Sequence, residues 1–434
     1  MKRNFFCFTV LLLLLISCEK SSSPELKVSQ NSFDNVSYNE TQLALNIEAE
    51  ESWTATSNSS WCTLSTKSGT GNATLTVSVT GNINVERTAT ITITSASQKK
   101  QVVQVVQSAL SNGTEYHYKL PIIFHVLYKD KTDGLQYVSQ SRIAEILKGV
   151  NSLYQNASKS VDMNLEFTLA TTDENGNTLT TPGVEYVQWT DIPMDCMTFM
   201  GTNNSKNAAL LWDPNKYINV MLYNFTSDNS GSVTLGISHM PYSITGANFL
   251  DGLTPTTYTT ITKENLAYPY CLSINSLYIN EKTENNIYNS YDVTITLAHE
   301  LGHYVGLHHA FSEDEEGNTN TCINSDYCDD TPTYNRDVYE MVLKALLNEA
   351  YQSGKQISMT TAATREDCKT GQQFIGHNIM DYEICYSDQF TSDQRKRIRN
   401  VLTYSPLIPG PKKTAATKTR TAEGPLDLPI VFKK

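Results

Sequence analysis

The sequence has no surplus of basic residues and only one long apolar run, and each absence excludes a class of protein. It holds 33 Lys and Arg against 45 Asp and Glu, a formal net charge of −12. Nucleic-acid binders instead need excess positive charge to neutralise phosphates. The single apolar run lies at the start of the 434-residue chain, which excludes a polytopic membrane protein. With 39% hydrophobic and 18% charged residues, the chain is typical of a globular protein of about two or three domains.

Residues 1–17 are typical of a signal peptide. Lys2 and Arg3 precede an apolar segment at 5–16 that is shorter than a membrane-spanning helix. Leu-Ile-Ser-Cys at 15–18 resembles a bacterial lipobox, which implies cleavage before Cys18 and acylation of Cys18, with 18–25 as a lipidated tether. We expect a lipoprotein of the cell envelope, in the outer membrane and facing the periplasm or the outside. A plain secretory signal and an uncleaved anchor are the alternatives.

Residues 26–108 predict an all-β, immunoglobulin-like sandwich. Apolar and polar residues alternate at 75–79 and 87–94, and a third strand is predicted at 101–107. With Trp53 and the segment SSWCTLSTKSGTGNATLTVSV, these runs resemble the BACON domain of Bacteroidetes surface proteins. The resemblance implies a carbohydrate partner. Trp53 and Trp61 fit better as core aromatic residues, so we expect this domain to be a spacer.

Residues 116–404 change to a mixed pattern that predicts an α+β domain. A nearly continuous apolar run is typical of a buried strand, and an apolar stripe at helical spacing predicts a helix packed on the sheet. The predicted strands lie at 120–128, 163–170, 216–225 and 271–280, and the predicted helices at 139–156 and 391–402.

The C-terminal region carries two features that we expect to face solvent. The last predicted helix contains a basic cluster, which is typical of a solvated helix face. Its members are Arg395, Lys396, Arg397 and Arg399. Residues 405–434, many of them Pro, Lys and Thr, predict a flexible tail.

The strongest chemical signal is the pattern H-E-x-x-H-x-x-G-x-x-H, formed by His299, Glu300, His303, Gly306 and His309. His299 and His303 lie one turn apart on the same face of a predicted helix, so both imidazoles can reach one ion. Gly306 can adopt the left-handed conformation that ends a helix and turns the chain back. That turn brings His309 to the same ion, and three neutral imidazoles suit Zn²⁺ with a fourth position left for water.

The residue between the ligands indicates catalysis. Glu300 lies beside the first histidine, where it can act as the general base toward a water on the metal. A structural zinc site would instead need a fourth protein ligand, usually Cys, and would have no use for Glu300. His308 falls outside the ligand spacing, and we expect its side chain to point elsewhere.

This motif resembles that of the metzincin clan of zinc endopeptidases. The pappalysin/ulilysin-type family is the best match, because Phe311, the tripeptide D-T-P at 330–332 and the run N-I-M-D-Y also fit it. The resemblance implies a metzincin zinc-protease fold for residues 116–404. It implies that Met380 forms a Met-turn below the zinc and that the Tyr382 hydroxyl stabilises the oxyanion.

The same resemblance implies a calcium site and cysteine pairings. Asp326 and Thr331, in the acidic loop after the third histidine, fall on the family's calcium positions and offer the oxygen ligands that Ca²⁺ prefers. A solvated acidic loop is the alternative. The expected disulfides are Cys322–Cys368 and Cys328–Cys385, with Cys196–Cys271 as a further candidate and Cys62 as a buried thiol.

Together these features predict a zinc-dependent endopeptidase that is anchored to the cell envelope and acts on protein or peptide substrates. We expect the substrate to lie extended along an edge strand, with residues 234–242 as the candidate. One alternative is a surface glycan-binding or adhesive lipoprotein with a secondary or inactive protease domain. Another is a zinc amidase or esterase with the same water chemistry.

Overall fold

The computed structural model describes residues 24–434 except 112, 228–232, 285–287, 414–419, 425, 427–431 and 434. The predicted signal peptide and the lipidation site Cys18 therefore lie outside the described residues. The chain forms two compact units: the first runs to Thr80 and resumes at Glu86–Ser108, and the second comprises Gly81–Val85 and the chain from Ala109 onward. None of the described helices combines the length and the apolar character needed to cross a bilayer.

The first unit is a β-sandwich of two sheets in which every strand pair except β2–β9 is antiparallel. One sheet has the order β1-β3-β7-β5 and the other β2-β9-β8-β4-β6. The strands are β1 (Leu26–Val28), β2 (Ser32–Val36), β3 (Thr41–Ala49), β4 (Ser52–Ser57), β5 (Cys62–Leu64), β6 (Ser68–Thr70), β7 (Ala73–Val79), β8 (Arg87–Ser95) and β9 (Lys100–Gln107).

Alternation along these strands buries one face of each sheet, as the sequence predicts. Leu75 and Val77 of β7 and Ile91 and Ile93 of β8 are fully buried in one core. The side chain of Trp53 is also buried there, and its Nε1 donates to Gly71 O at 2.9 Å. The three strands predicted from the sequence are confirmed.

The second unit is built on a seven-stranded mixed sheet, with the path β11-β10-β13-β17-β14-β20 and β12 also paired to β10. Its strands are β10 (Tyr118–Tyr128), β11 (Leu165–Leu169), β12 (Val184–Gln188), β13 (Ile218–Tyr223), β14 (Gly236–His239), β17 (Leu272–Asn275) and β20 (Phe432–Lys433). Two small ribbons add β15 (Tyr242–Ile244) with β16 (Thr254–Thr256), and β18 (Thr364–Glu366) with β19 (Gln373–Ile375).

The helices of this unit are α1 (Gln140–Tyr154), α2 (Cys196–Gly201), α3 (Ser205–Ala208), α4 (Val293–Tyr304), α5 (Arg336–Ser353), α6 (Met359–Ala362) and α7 (Ser392–Tyr404). Helix α1 buries the predicted stripe, including Ile143 and Val150, and packs against α4. The Tyr154 hydroxyl donates to Ala298 O at 2.9 Å. This contact anchors the middle of α4 to the layer behind it.

Strand β14 is the last long-range strand of the sheet before its edge: it pairs with β17 on one side and with only the two-residue strand β20 on the other. It is antiparallel to β17, while β10, β13 and β17 are mutually parallel. On its other side it pairs with the two-residue strand β20, Ser238 opposite Lys433 and His239 opposite Phe432. The segment 234–242, predicted as the edge that binds substrate, therefore contains β14. Part of the free side of β14 is paired with β20.

The C-terminal region corrects two expectations. Leu407 and Ile408 are fully buried, and Leu426 N donates to Asn265 O at 2.9 Å, so the described part of 405–434 is packed rather than flexible. The basic cluster of α7 is only partly a solvated face: Lys396 is exposed, whereas Arg397 is buried. The Arg397 guanidinium donates to Gly306 O at 3.2 Å and to Asp251 O at 3.0 Å. These hydrogen bonds to backbone carbonyls compensate for its burial.

Candidate metal centre

Helix α4 carries the first two histidines and begins and ends at residues suited to those positions. Asp292 is its N-cap, where Oδ1 accepts from Thr294 N at 2.9 Å. After Tyr304 the chain turns at Gly306, whose φ of 98° lies in the region that favours glycine. This turn returns the chain toward the helix and delivers His309 to the face on which His299 and His303 lie.

The three predicted ligands converge. His303 Nε2 lies 3.0 Å from His299 Nε2 and 3.2 Å from His309 Nε2, and all three imidazoles are buried. Among the described residues, these histidines form the one cluster of three or more His, Cys, Asp or Glu whose ligand atoms could hold a metal ion. His308 is not part of it: its ring packs against Tyr327, with ring centres 5.3 Å apart.

Hydrogen bonds at the opposite ring nitrogens determine the tautomers. His299 Nδ1 lies 2.8 Å from Ile379 O, and His303 Nδ1 lies 2.8 Å from Leu307 O. Since a carbonyl oxygen only accepts, each Nδ1 must carry the proton. Each Nε2 therefore presents a lone pair to its neighbours, an arrangement that is repulsive unless a cation lies between them.

The donor set fits zinc. Burial lowers the pKa of His299 to about 4 and that of His303 well below its usual value, so the rings are neutral and able to bind a metal near pH 7. A tetrahedral Zn²⁺ with Zn–N bonds of about 2.0–2.1 Å places ligand nitrogens about 3.3 Å apart. The observed separations of 3.0 and 3.2 Å are close to that spacing.

Glu300 lies beside this cluster in an apolar environment. Its side chain is buried, Oε2 has no hydrogen-bond partner among the described residues, and burial raises the pKa of the carboxyl well above its usual value. Strand β14 approaches it closely, because a Cβ at Gly236 would lie 2.5 Å from Glu300 Cγ. A carboxyl group without a protein partner, next to three metal ligands, is suited to receive a proton from a water there.

Met380 packs against helix α4 between the two helical ligands. It is fully buried, and a Cβ at Gly302 would lie 2.4 Å from its sulfur, so glycine between the two helical ligands allows the methionine to approach α4. Its carbonyl accepts from Ala310 N at 2.9 Å. The preceding residue, Ile379, supplies the carbonyl that orients His299, so this turn supports the ligands directly.

Tyr382 packs against the ligand rings. Its ring centre lies 4.6 Å from that of His309 and 5.3 Å from that of His299. The guanidinium carbon of Arg336, from the first turn of α5, lies 5.0 Å from the Tyr382 ring centre. Burial, with a further contribution from the nearby Glu300 carboxyl, raises the pKa of the tyrosine well above 10. The hydroxyl is therefore protonated and able to donate.

The predicted calcium residues are both buried but separate from the histidines. Burial raises the pKa of Asp326 to about 7, opposed by the hydrogen bond from Cys328 N to its carboxylate. No protein atom of the described residues forms a hydrogen bond of standard geometry with Asp326 Oδ2 or Thr331 Oγ1. Carboxylate and hydroxyl oxygens of this type are ligands that Ca²⁺ accepts.

One predicted disulfide is present and the others are not. Cys322 and Cys368 are joined, with Cα atoms 6.0 Å apart. The predicted Cys328–Cys385 pair is wrong: both are buried free thiols, and each sulfur faces a different backbone carbonyl, Asp326 O and Asn378 O. Cys196 and Cys271 are not joined by a disulfide, Cys271 Sγ lies 3.3 Å from a methionine sulfur, and Cys62 is a buried thiol.

Comparisons with known proteins agree with this geometry. Residues 201–403 match the model of peptidase family M43, described as pregnancy-associated plasma protein-A. This region is similar to the peptidase domains of that family. Residues 51–108 match the BACON model, which describes an N-terminal binding domain.

Two curated proteins and two solved structures are similar to parts of the chain. An extracellular metalloprotease of Arthroderma benhamiae and another of Trichophyton verrucosum are each 30% identical over 111 residues, 25% of this chain and 31% of theirs. The chain thus matches about a third of the length of these relatives. Mature mirolysin of Tannerella forsythia with a cleaved peptide is 20% identical, covering 66% of this chain and 92% of that chain (TM-score 0.44). Mirolysin with compound 9 is 18% identical, covering 66% and 91% (TM-score 0.42).

Several residues that shape the site were missed by sequence reasoning. Four of them act through contacts with residues distant in the chain: Gly236, Gly302, Arg336 and Arg397. The fifth, Glu313, contacts His309, which lies four residues earlier. Gly302 carried a weak signal, because a glycine inside a predicted helix is costly unless something must approach it closely.

Proposed function

We propose that this protein is a zinc-dependent endopeptidase that hydrolyses peptide bonds in protein or peptide substrates. The observation that carries the proposal is the convergence of three histidine Nε2 atoms beside a buried carboxyl group whose Oε2 has no hydrogen-bond partner among the described residues. A structural zinc site would leave Glu300 without a role.

The residues of the chain divide the chemistry between them. Zinc held by His299, His303 and His309 supplies an acidified water and a Lewis acid for the scissile carbonyl. Glu300 would accept the proton of that water and pass it to the leaving amine. The Tyr382 hydroxyl donates to the carbonyl oxygen as negative charge develops on it.

The decisive experiment compares Glu300→Gln and Glu300→Ala with the wild type on denatured protein substrates. We expect both variants to keep their zinc and to lose at least about 100-fold in rate, within the range that general-base catalysis provides. Glu349→Gln, an exposed glutamate on α5, is the matched control and should cleave normally. Equal cleavage by the Glu300 variants would contradict the mechanism, and product analysis by mass spectrometry separates peptidase from amidase or esterase activity.

We further propose that the protein is a lipoprotein of the cell envelope and that its first unit is a spacer. The lipobox-like sequence ending at Cys18 supports the anchor. In the sandwich, Trp53 is buried, and the Arg87 guanidinium covers the Trp61 ring at 4.2 Å, so neither ring is free to stack on a sugar. Cys18→Ser should abolish labelling by a fatty-acid analogue in cells, and labelling that persists would exclude Cys18 as the lipidated residue.

We also propose that the acidic loop binds Ca²⁺ through Asp326 and Thr331. Both side chains are buried, and their carboxylate and hydroxyl oxygens are ligands of the type that Ca²⁺ prefers. Calcium should raise the melting temperature of the wild type and should have no effect on Asp326→Asn. An equal effect on both proteins would place the ion elsewhere.

A further inference from the structure

We propose that Glu313 is a positioning residue of the metal centre, a role that rests on the proposed function. Its carboxylate orients the third ligand, His309, and favours the tautomer in which Nε2 is free to bind the metal. Glu313 lies outside the ligand motif, four residues beyond the last histidine.

The geometry distinguishes the third histidine from the first two. His299 and His303 each donate from Nδ1 to a backbone carbonyl, whereas His309 Nδ1 lies 3.2 Å from Glu313 Oε2. The two side chains expose only 4% and 15% of their surface. A carboxylate accepts this proton more strongly than a carbonyl does, and it makes the opposite nitrogen a better electron donor.

The loop holds Glu313 in place. Its backbone N–H donates to Ser325 Oγ at 3.0 Å, and Ser325 Oγ in turn donates to Phe311 O at 3.2 Å. One residue earlier, Ser312 N donates to Tyr334 O at 2.9 Å. The backbone at Glu313 is therefore held by contacts with Ser325, within the acidic loop, and with Tyr334, just after it.

The contact with Glu313 matters for His309 because this ligand does not lie on a helix. The first two ligands lie on a helix, whose backbone already limits their position. His309 follows the Gly306 turn and has no helix to hold it. A charged partner at Nδ1 supplies the orientation that regular backbone structure supplies to His299 and His303.

The test measures zinc binding directly, in the full chain, by competition with a chromophoric chelator. We expect Glu313→Ala to weaken zinc binding about 10–100-fold, the usual effect of removing such a partner. Glu313→Gln should fall between Glu313→Ala and the wild type, because the amide oxygen still accepts but carries no charge. Glu315→Ala, an exposed glutamate two residues on, is the control and should bind as the wild type does.

Two further readouts separate positioning from a merely structural role. The unfolding midpoint of the metal-free protein should be unchanged in Glu313→Gln, and the visible absorption of the Co²⁺-substituted protein should shift, because the third ligand is less well oriented. If Glu313→Ala does not fold, Glu313→Gln decides.

Unchanged zinc affinity and an unchanged Co²⁺ spectrum in the folded variants would overturn the role of Glu313. A wild-type chain that takes up no zinc would instead overturn the proposed function. The two failures are therefore distinguishable.

Discussion

Glycine at position 236 determines how closely strand β14 approaches the carboxyl group of Glu300. An ideal Cβ there would lie 2.5 Å from Glu300 Cγ and 2.7 Å from Oε1, closer than any real contact between such atoms. The general base is therefore held between the histidine helix and the sheet edge. A methyl group on β14 would have to displace it.

Gly236→Ala should consequently lower kcat by about 100-fold, within the range assigned to general-base catalysis, while zinc content stays normal because the three histidines are not touched. Gly134→Ala is the matched control, since no atom lies within 4 Å of the added methyl group. Steady-state kinetics with metal analysis checks the prediction, and normal kcat in Gly236→Ala would show that Glu300 tolerates displacement.

At the scale of elements, the segment between the acidic loop and Met380 supports the metal centre. It contains α5, α6, β18 and β19. The Arg365 guanidinium, in β18, forms a buried ion pair with Asp381 at 3.1 Å. Arg365 also donates to Tyr382 O at 2.9 Å. The disulfide between Cys322 and Cys368 joins the acidic loop to this segment.

Loss of that disulfide should destabilise the second unit. The bridge closes a loop with a sequence separation of 46, for which chain entropy predicts about 4 kcal/mol, and measured effects are commonly about 2–4 kcal/mol. We expect Cys322→Ser, Cys368→Ser and the double variant to be equally destabilised in denaturant titrations. A reductant should bring the wild type to the same level and leave the variants unaffected, and a reductant-insensitive wild type would argue against the bridge.

The pairing of β20 with β14 leads to a prediction about substrate access. An extended peptide added to β14 would need the backbone groups of Ser238 and His239 that now face Phe432 and Lys433. A chain that ends at Leu426 should therefore show a lower KM for peptides with little change in kcat. A synthetic peptide of residues 427–434 should inhibit this shortened chain competitively, and identical KM values for the two chains would show that β20 does not compete.

At the scale of the whole molecule, each of the two units has its own buried core. The core of the sandwich includes Trp53, Val77 and Ile91, and the metal centre lies entirely in the second unit. We therefore expect the two cores to unfold in separate transitions.

Calorimetry of Trp53→Ala should show this separation. Truncating the buried indole should cost the sandwich about 3–5 kcal/mol, lowering the midpoint of one unfolding transition and leaving the other and the peptidase activity unchanged. Thr63→Ala, on an exposed position of β5, is the control. A single transition that shifts as a whole would contradict independent cores.

The sequence by itself determined what depends on local spacing. Ligands at i and i+4 on one helix, followed by a glycine turn and a third histidine, meet because helical geometry repeats over a few residues. The alternating strands of the sandwich followed from the same kind of local regularity.

Only the tertiary structure decided what depends on contacts distant in the chain. Cys328 and Cys385 remain thiols, Arg397 is buried against the Gly306 turn, and the tail packs on the domain. Gly236 acquires its importance from the Glu300 side chain, which approaches it from an element distant in the chain. Residue type and spacing do not encode such approaches, because they arise when separate elements pack together.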